Sequence, residues 1–413
     1  MGAGLPRYSA FAAILAAAGL PIYIHAPKFY VDSYGVTLAQ LSVALFLLRL
    51  IDVVQDPLLG RLAEVTRAHR RAMVRGAGIA MAAGMVALFA LPPALPPIWW
   101  FALSLAALFS AYSFLTICFY AQGVAKAGAV PGGHVRVATW RETGALTGVC
   151  LAAALPALLA FTGAPFVLYA GLFVLGVALA LWAMGPEWTA RGDAPDGGLR
   201  HVLADAPARR LLLIALANAT PVAVTSTLFL FFVEDRLGAP GLEGPLLLLF
   251  FLSAAASAPL WGRAARRVGP RPALLAGMAL AIATFGWALT LGVGDVAAFA
   301  VICVASGAAL GADLTLLPAL FARRMAEIAP GAADGFGLWS FVTKVTLAFA
   351  AIALLPVLDL AGYVPGGPSP ETALALLTWL YAGLPLALKA IALALLWRAG
   401  PEIARYGKDL RRA

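Results

Sequence analysis

Arg49, Asp52 and Asp56 lie within an otherwise apolar run, LSVALFLLRLIDVVQDPLLG. Spacings of three and four put their side chains on one face of a helix. A charge at the centre of a bilayer costs roughly 2.5–3.5 kcal/mol on insertion scales. Three charges on one face therefore point away from lipid, into a protein interior or a watery cavity, where they would act on an ion or a substrate.

Composition sets the elements that must hold them. The chain has 413 residues, 62% hydrophobic and 12% charged, against roughly 25% charged in a soluble domain. That much apolar surface does not fit inside a water-soluble core, so the chain reads as an all-α, multi-pass membrane protein. Its net charge of +9 comes from basic residues in short loops between apolar runs. That pattern sets membrane topology and does not form a nucleic-acid groove. Cys118, Cys150 and Cys303 sit in apolar stretches and read as buried free thiols, with no metal spacing. The first apolar run lacks a small-residue cleavage site, so no cleaved signal peptide is expected.

A spanning helix needs roughly 20 apolar residues. Such runs lie near 8–30, 38–61, 72–93, 98–123, 137–161 and 164–185, and then near 210–233, 244–264, 271–292, 296–320, 336–361 and 372–397. About twelve spans are thus expected. The polar stretch between the two sets joins an N-terminal bundle (1–185) to a C-terminal bundle (210–398) through a central loop (186–209), with a tail over 399–413.

Alternate loops are basic. They carry Arg61, Arg67, Arg70, Arg71 and Arg75; Lys126 and Arg136; Arg191, Arg200, Arg209 and Arg210; Arg263, Arg266, Arg267 and Arg271; Arg323 and Arg324; and, in the tail, Arg405, Lys408, Arg411 and Arg412. The opposite loops hold little beyond Lys28 and Arg236. Both termini are then expected on the cytoplasmic side, in a bacterial inner membrane. The halves echo each other: GRLAEVTRAHRRAM follows the second span, and GRAARRVGPRPAL the second span of the second half. Duplicated halves of this kind build a central site that opens to alternate sides.

The paired basic hairpins in a six-plus-six layout resemble the major facilitator superfamily. Within it, RLIDVVQDPLLG is similar to the R-x-x-D-x-x-x-D-P-x-x-G signature of the glycoside–pentoside–hexuronide cation symporters, of which melibiose permease is a member. ADLTLLP and GLWSFVTKVTLAFAA continue the likeness, with Lys344 at the family's lysine. The resemblance implies a major facilitator fold of two six-helix bundles and cation-coupled symport of a small organic solute. It implies a cation site at Asp52 and Asp56, with Gln55 where the family often has asparagine and Ser113 as a hydroxyl ligand. Sodium, a hard cation, suits such oxygen donors. Two close carboxylates equally suit one proton, because like charges raise one pKa. Arg49 would pair with the empty site. The alternative is an ion-pair network that only stabilises the bundle.

The resemblance also places the solute site, and here the chain departs from the family. Acidic residues on the first and fourth spans of the melibiose-type carriers correspond to Ala16 and Thr116, and Tyr120 takes the place of a tryptophan. Arg141 is retained. Arg141, Lys344, Thr116, Tyr120 and the aromatics Trp140, Trp339 and Phe119 remain to line a cavity. Two cations with aromatics suit an anionic or amphipathic solute; a sugar or glycoside is the other reading. Arg141 could instead anchor a helix end beside Glu142. Lys344 is expected to link the two sites, with Asp52 or Asp56 as its carboxylate.

Asp313 should face the interior and serve gating or a proton, or be a satisfied structural aspartate. Lys389 should snorkel toward the cytoplasmic surface. His25 and Lys28 read as outer-mouth residues. Asn218 and Thr220, before Pro221, line a kink or pack. No P-loop, metal cluster or nucleophile elbow is present in the sequence, so neither an enzyme nor an ATP-driven pump is expected. One charge moving through 100 mV is worth about 2.3 kcal/mol, enough for roughly 50-fold accumulation per cation. No cofactor is expected beyond a coupling Na+ or H+. Expected partners are lipid and a small solute, with the chain a monomer. The rival readings are a proton-coupled exporter or lysolipid carrier and, in another class, a non-transporting scaffold or sensor.

Overall fold

The computed structural model describes residues 4–19, 26–130, 133–188, 198–329 and 332–399. The described residues are nearly all helical, with no strand among them. In chain order the first helices are α1 (Leu5–Ala17), α2 (Ala26–Tyr34), α3 (Leu38–Val65), α4 (Arg70–Phe89), α5 (Pro97–Ala127), α6 (Gly133–Leu158), α7 (Pro165–Met184) and α8 (Gly198–Ala204). They are followed by α9 (Ala206–Phe231), α10 (Glu243–Val268), α11 (Pro270–Ala288), α12 (Val296–Ile328), α13 (Ala333–Leu360), α14 (Glu371–Thr378) and α15 (Leu384–Arg398). A π-helical turn, Phe232–Arg236, extends α9, and another, Trp379–Gly383, joins α14 to α15.

Ten of the described helical stretches are long and apolar enough to cross a membrane. The difference from twelve arises at the N-terminal end. The expected first span runs over residues 20–25, which lie outside the described residues, as does His25; nothing is described of the Lys28 side chain either. α3 has 28 residues, ample for a span, though it is not among those ten. Arg191 and the tail basics Arg405, Lys408, Arg411 and Arg412 also lie outside the described residues.

The sequence punctuates these helices chemically. α3 opens on a capping box in which Thr37 Oγ1 accepts from Gln40 N–H and Gln40 Oε1 accepts from Thr37 N–H, so two otherwise orphaned donors are satisfied. Asp205 caps α9 through Ala208 N–H at 2.8 Å. Proline in the first turn starts α5, α7, α11 and α15, where its missing N–H has no partner to lose.

The chain divides into two compact units: Met1–Leu203 with Met325–Phe341, and Ala204–Arg324 with Val342–Ala413. In the first unit α1 packs on α6 and α7, and α5 on α3, α4 and α6. Small residues set the α1–α6 contact. A Cβ on Gly144 would stand 2.1 Å from Ser9 O, and one on Gly148 2.1 Å from Ala13 O. The two backbones touch, the close packing that membrane helices use where burial from water gives no drive. In the second unit α15 packs on α9 and α11. α10 meets α12 the same way, with Gly307 against Phe250 O and Gly311 against Ser257. Phe232 and Tyr381 stack at 4.1 Å, one from each π-helical turn.

Candidate functional site: buried carboxylates on α3 and α12

α3 is two-faced. Val43, Phe46, Leu47, Leu50, Ile51, Val54 and Leu58 are exposed, as lipid-facing residues would be, while Leu48, Asp52, Asp56 and Gly60 are buried. Asp52 is 5% exposed and Asp56 is fully buried. Arg49 is half-buried on the same helix.

Two helices bring polar atoms to this face. From α5, Ser113 Oγ donates to Asp52 Oδ1 at 3.0 Å. Gln55 Nε2 donates to the same oxygen at 3.2 Å, and its Oε1 accepts from Ser110 Oγ at 2.8 Å. From the first turns of α13, within the first unit, Ser340 Oγ donates to Asp56 Oδ2 at 2.5 Å. Pro57 follows Asp56 inside α3; having no N–H, it leaves the Val53 carbonyl without its helical donor. α3 and α13 meet one turn further on at Gly60 and Gly337, where a Cβ on either would stand 3.0 Å from the other's Cα. Arg61 and Asp334 form an ion pair at 3.6 Å beside that crossing.

Asp52, Gln55, Asp56 and Ser113 thus lie on one buried face, and the hydrogen bonds described here bring hydroxyls and an amide to the two carboxylates. Such donors suit a hard monovalent cation or a proton rather than a soft metal. No group of three or more His, Cys, Asp or Glu fit to hold a metal occurs among the described residues. Ser110 and Ser340 are additions that sequence reasoning missed. Ser110 was findable, since it precedes Ser113 by three and shares its face. Nothing local marks Ser340.

Of the residues expected around a solute, Arg141, Tyr120 and Thr116 lie in the same unit, whereas Lys344 belongs to the second. Arg141 is buried on α6; its Nε donates to Glu142 Oε1 at 2.6 Å and its guanidinium lies 3.9 Å from the centre of the Tyr120 ring. Tyr120 also packs on Phe336. The Thr116 hydroxyl, one turn before Tyr120, is buried without a hydrogen-bond partner. Phe119 stacks on Tyr8 at 4.1 Å and belongs to the core. Trp339 is buried, Trp140 exposed at 37%, and Ala16 and Lys344 half-buried.

In the second unit one expectation is corrected. Lys389 does not snorkel. It is 2% exposed, donates to Asn218 Oδ1 at 2.6 Å and forms a very short ion pair with Asp313, which is 5% exposed. The physical reason is Asp313: a carboxylate held this deep needs a cation, and Lys389 supplies it. Thr220 is half-buried, and its hydroxyl returns to Leu216 O of its own helix at 2.7 Å. Cys118 and Cys303 are buried and Cys150 half-buried, all three as free thiols.

Many apolar helices long enough to cross a membrane, with carboxylates buried among them, define a multi-pass integral membrane protein. A sequence model of the family described as MFS/sugar transport protein matches residues 7–400, and the chain belongs to that family of the major facilitator superfamily. Two solved structures of a bacterial homologue of the iron transporter ferroportin, outward-facing without and with soaked iron, superpose with TM-scores of 0.72 at 15% identity. The first match covers 96% of this chain and 98% of that one, the second 97% and 98%. At this identity the likeness concerns the fold, which is the major facilitator fold. Among curated proteins none matches in sequence.

Proposed function

We propose that this transporter is a cation-coupled symporter of the glycoside–pentoside–hexuronide type, and that Asp52, Gln55, Asp56 and Ser113 hold the coupling ion, Na+ or H+. The observation that carries the reading is the convergence of Ser113 and Gln55 on Asp52, with buried Asp56 one turn away on the same face. Two carboxylates with hydroxyl and amide dipoles around them form a place where a small cation exchanges water for fixed oxygens. Loop charge supports cytoplasmic termini.

The solute favoured by the Arg141 cluster is sugar-like. Glu142 neutralises Arg141 at 2.6 Å, which weakens the case for an anion. A guanidinium, a carboxylate and the Tyr120 ring together offer donors, acceptors and a flat face, the set a glycoside uses. The family description, MFS/sugar transport protein, agrees with this. The test is uptake by reconstituted protein under imposed Na+ or proton gradients, with neutral glycosides and organic anions as solutes. One gradient should drive glycoside accumulation, and Asp52→Asn and Asp56→Asn should abolish that drive while exchange at equal concentrations persists. Unchanged drive in both variants would sink the cation assignment. Anion uptake without glycoside uptake would sink the solute assignment alone.

A further inference from the structure

The Asp313 centre in the second unit has no part in the cation site described above. Three helices meet there: α12 supplies Asp313, α15 supplies Lys389 and α9 supplies Asn218. The Lys389 ammonium donates to Asn218 Oδ1 and to Asp313 Oδ2. Asn218 approaches the carboxylate as well, yet Asp313 Oδ1 is buried and completes no hydrogen bond. Such an oxygen in a dry interior is costly, and an apolar pair of similar volume would hold three helices as well or better. Bundle stability alone therefore does not account for the pair.

Each contributing helix is irregular within two turns of it. Pro221 follows Asn218 by three residues, Pro318 follows Asp313 by five, and the π-helical turn Trp379–Gly383 precedes Lys389 by six. Proline and π-turns remove or displace backbone hydrogen bonds and mark places where helices bend.

The other charges on the helices packed around it lie elsewhere. They are Arg209 and Arg210 on α9, Glu243, Arg263, Arg266 and Arg267 on α10, Arg271 on α11, Arg323, Arg324 and Glu327 on α12, Asp334, Lys344 and Asp359 on α13 and Arg398 on α15. Lys389 is the full charge that acts on Asp313.

We propose that Asp313, Lys389 and Asn218 form a proton-binding site separate from Asp52 and Asp56. A proton from water bonds to Asp313, whose Oδ1 is the oxygen still without a donor. The carboxylate becomes a carboxylic acid, its ion pair with Lys389 is released, and Lys389 stays an ammonium held by the Asn218 carbonyl. Asn218 gives the ammonium an acceptor that does not titrate, so the site can be neutral or carry one positive charge without stranding Lys389. Proton loading then loosens α12 from α15 where both can bend.

Infrared difference spectra of the full chain in lipid, recorded between neutral and acidic pH, test this. A protonated buried carboxyl gives a C=O band separate from the amide signal. The wild type should gain this band on acidification. Asp52→Asn and Asp56→Asn should keep it, and Asp313→Asn should lose it. Lys389→Met should show it already at neutral pH, because a carboxyl without its cation stays protonated. Where Asp313→Asn does not fold, the neutral pair Asp313→Asn/Lys389→Met serves in its place. A wild type without the band, or a difference spectrum unchanged by removing Asp313, overturns the proposal. Neither result bears on coupling through Asp52 and Asp56, which uptake reads separately.

Discussion

Both units bury aspartate, and they handle it differently. In the first, Asp52 gathers a serine hydroxyl and a glutamine amide, and Asp56 a serine hydroxyl. In the second, Asp313 is met by an ammonium. Hydroxyl and amide dipoles soften the cost of a buried carboxylate without cancelling its charge, and their oxygens can turn toward an arriving cation. A lysine cancels the charge outright. Around the α3 carboxylates are hydroxyls and an amide of the kind the proposed coupling site uses, whereas the α12 carboxylate is held by an ammonium and changes state by breaking that pair.

The largest effect should come from breaking the compensated pair. Lys389→Met strands Asp313, and removing one partner of a buried pair costs about 3–5 kcal/mol. A clear loss of thermal stability in detergent is expected, with most of it regained in the double variant Asp313→Asn/Lys389→Met. If the single and double variants melt together, the two units do not differ in the way described. Next is Asp56→Asn. The amide keeps an acceptor for Ser340 and almost the same volume, so melting should stay near wild type while cation-driven accumulation disappears. A collapse in stability would instead mark the α3 carboxylates as structural.

Ser113→Ala removes a hydroxyl that donates at 3.0 Å. A net hydrogen bond of about 1 kcal/mol corresponds to roughly a fivefold loss of cation affinity, readable as a shift in the ion concentration that half-saturates uptake. Ser110→Ala should do least, about twofold at most, because Ser110 reaches Asp52 only through Gln55 and a bond held at one remove transmits a fraction of that energy. An equal effect from the two serines would show that Gln55, rather than Asp52, is the group that matters.

The α3 centre was legible in the sequence because its signal is local. Charges at spacings of three and four in an apolar run leave a helix one face to hide them on, and the structure buries Asp52 and Asp56 on that face. The pairing of Lys389 was not legible. Its acceptors stand 76 and 171 residues away, and a lone lysine near the end of an apolar run looks the same whether it reaches water or a carboxylate. Snorkelling is its usual solution, and only tertiary packing overrides it. Ser340 was missed for a related reason: serine carries no insertion penalty large enough to single it out, so its partner is visible only once α13 is placed against α3. Glu142 beside Arg141 was visible, and its consequence, a guanidinium already neutralised, is geometric.

The backbone contact between α1 and α6 bears on how the chain is made. Ser9 and Ala13 press on Gly144 and Gly148, so α1 rests on a surface that does not exist until α6 has been synthesised. At ~5–20 residues per second that is a wait of about ten seconds. During that interval something other than its own fold must shelter it: lipid, the insertion machinery or a neighbouring helix. A side chain added at Gly144 or Gly148 would prolong the wait indefinitely, and its first symptom would be a nascent chain degraded before any transport could be measured.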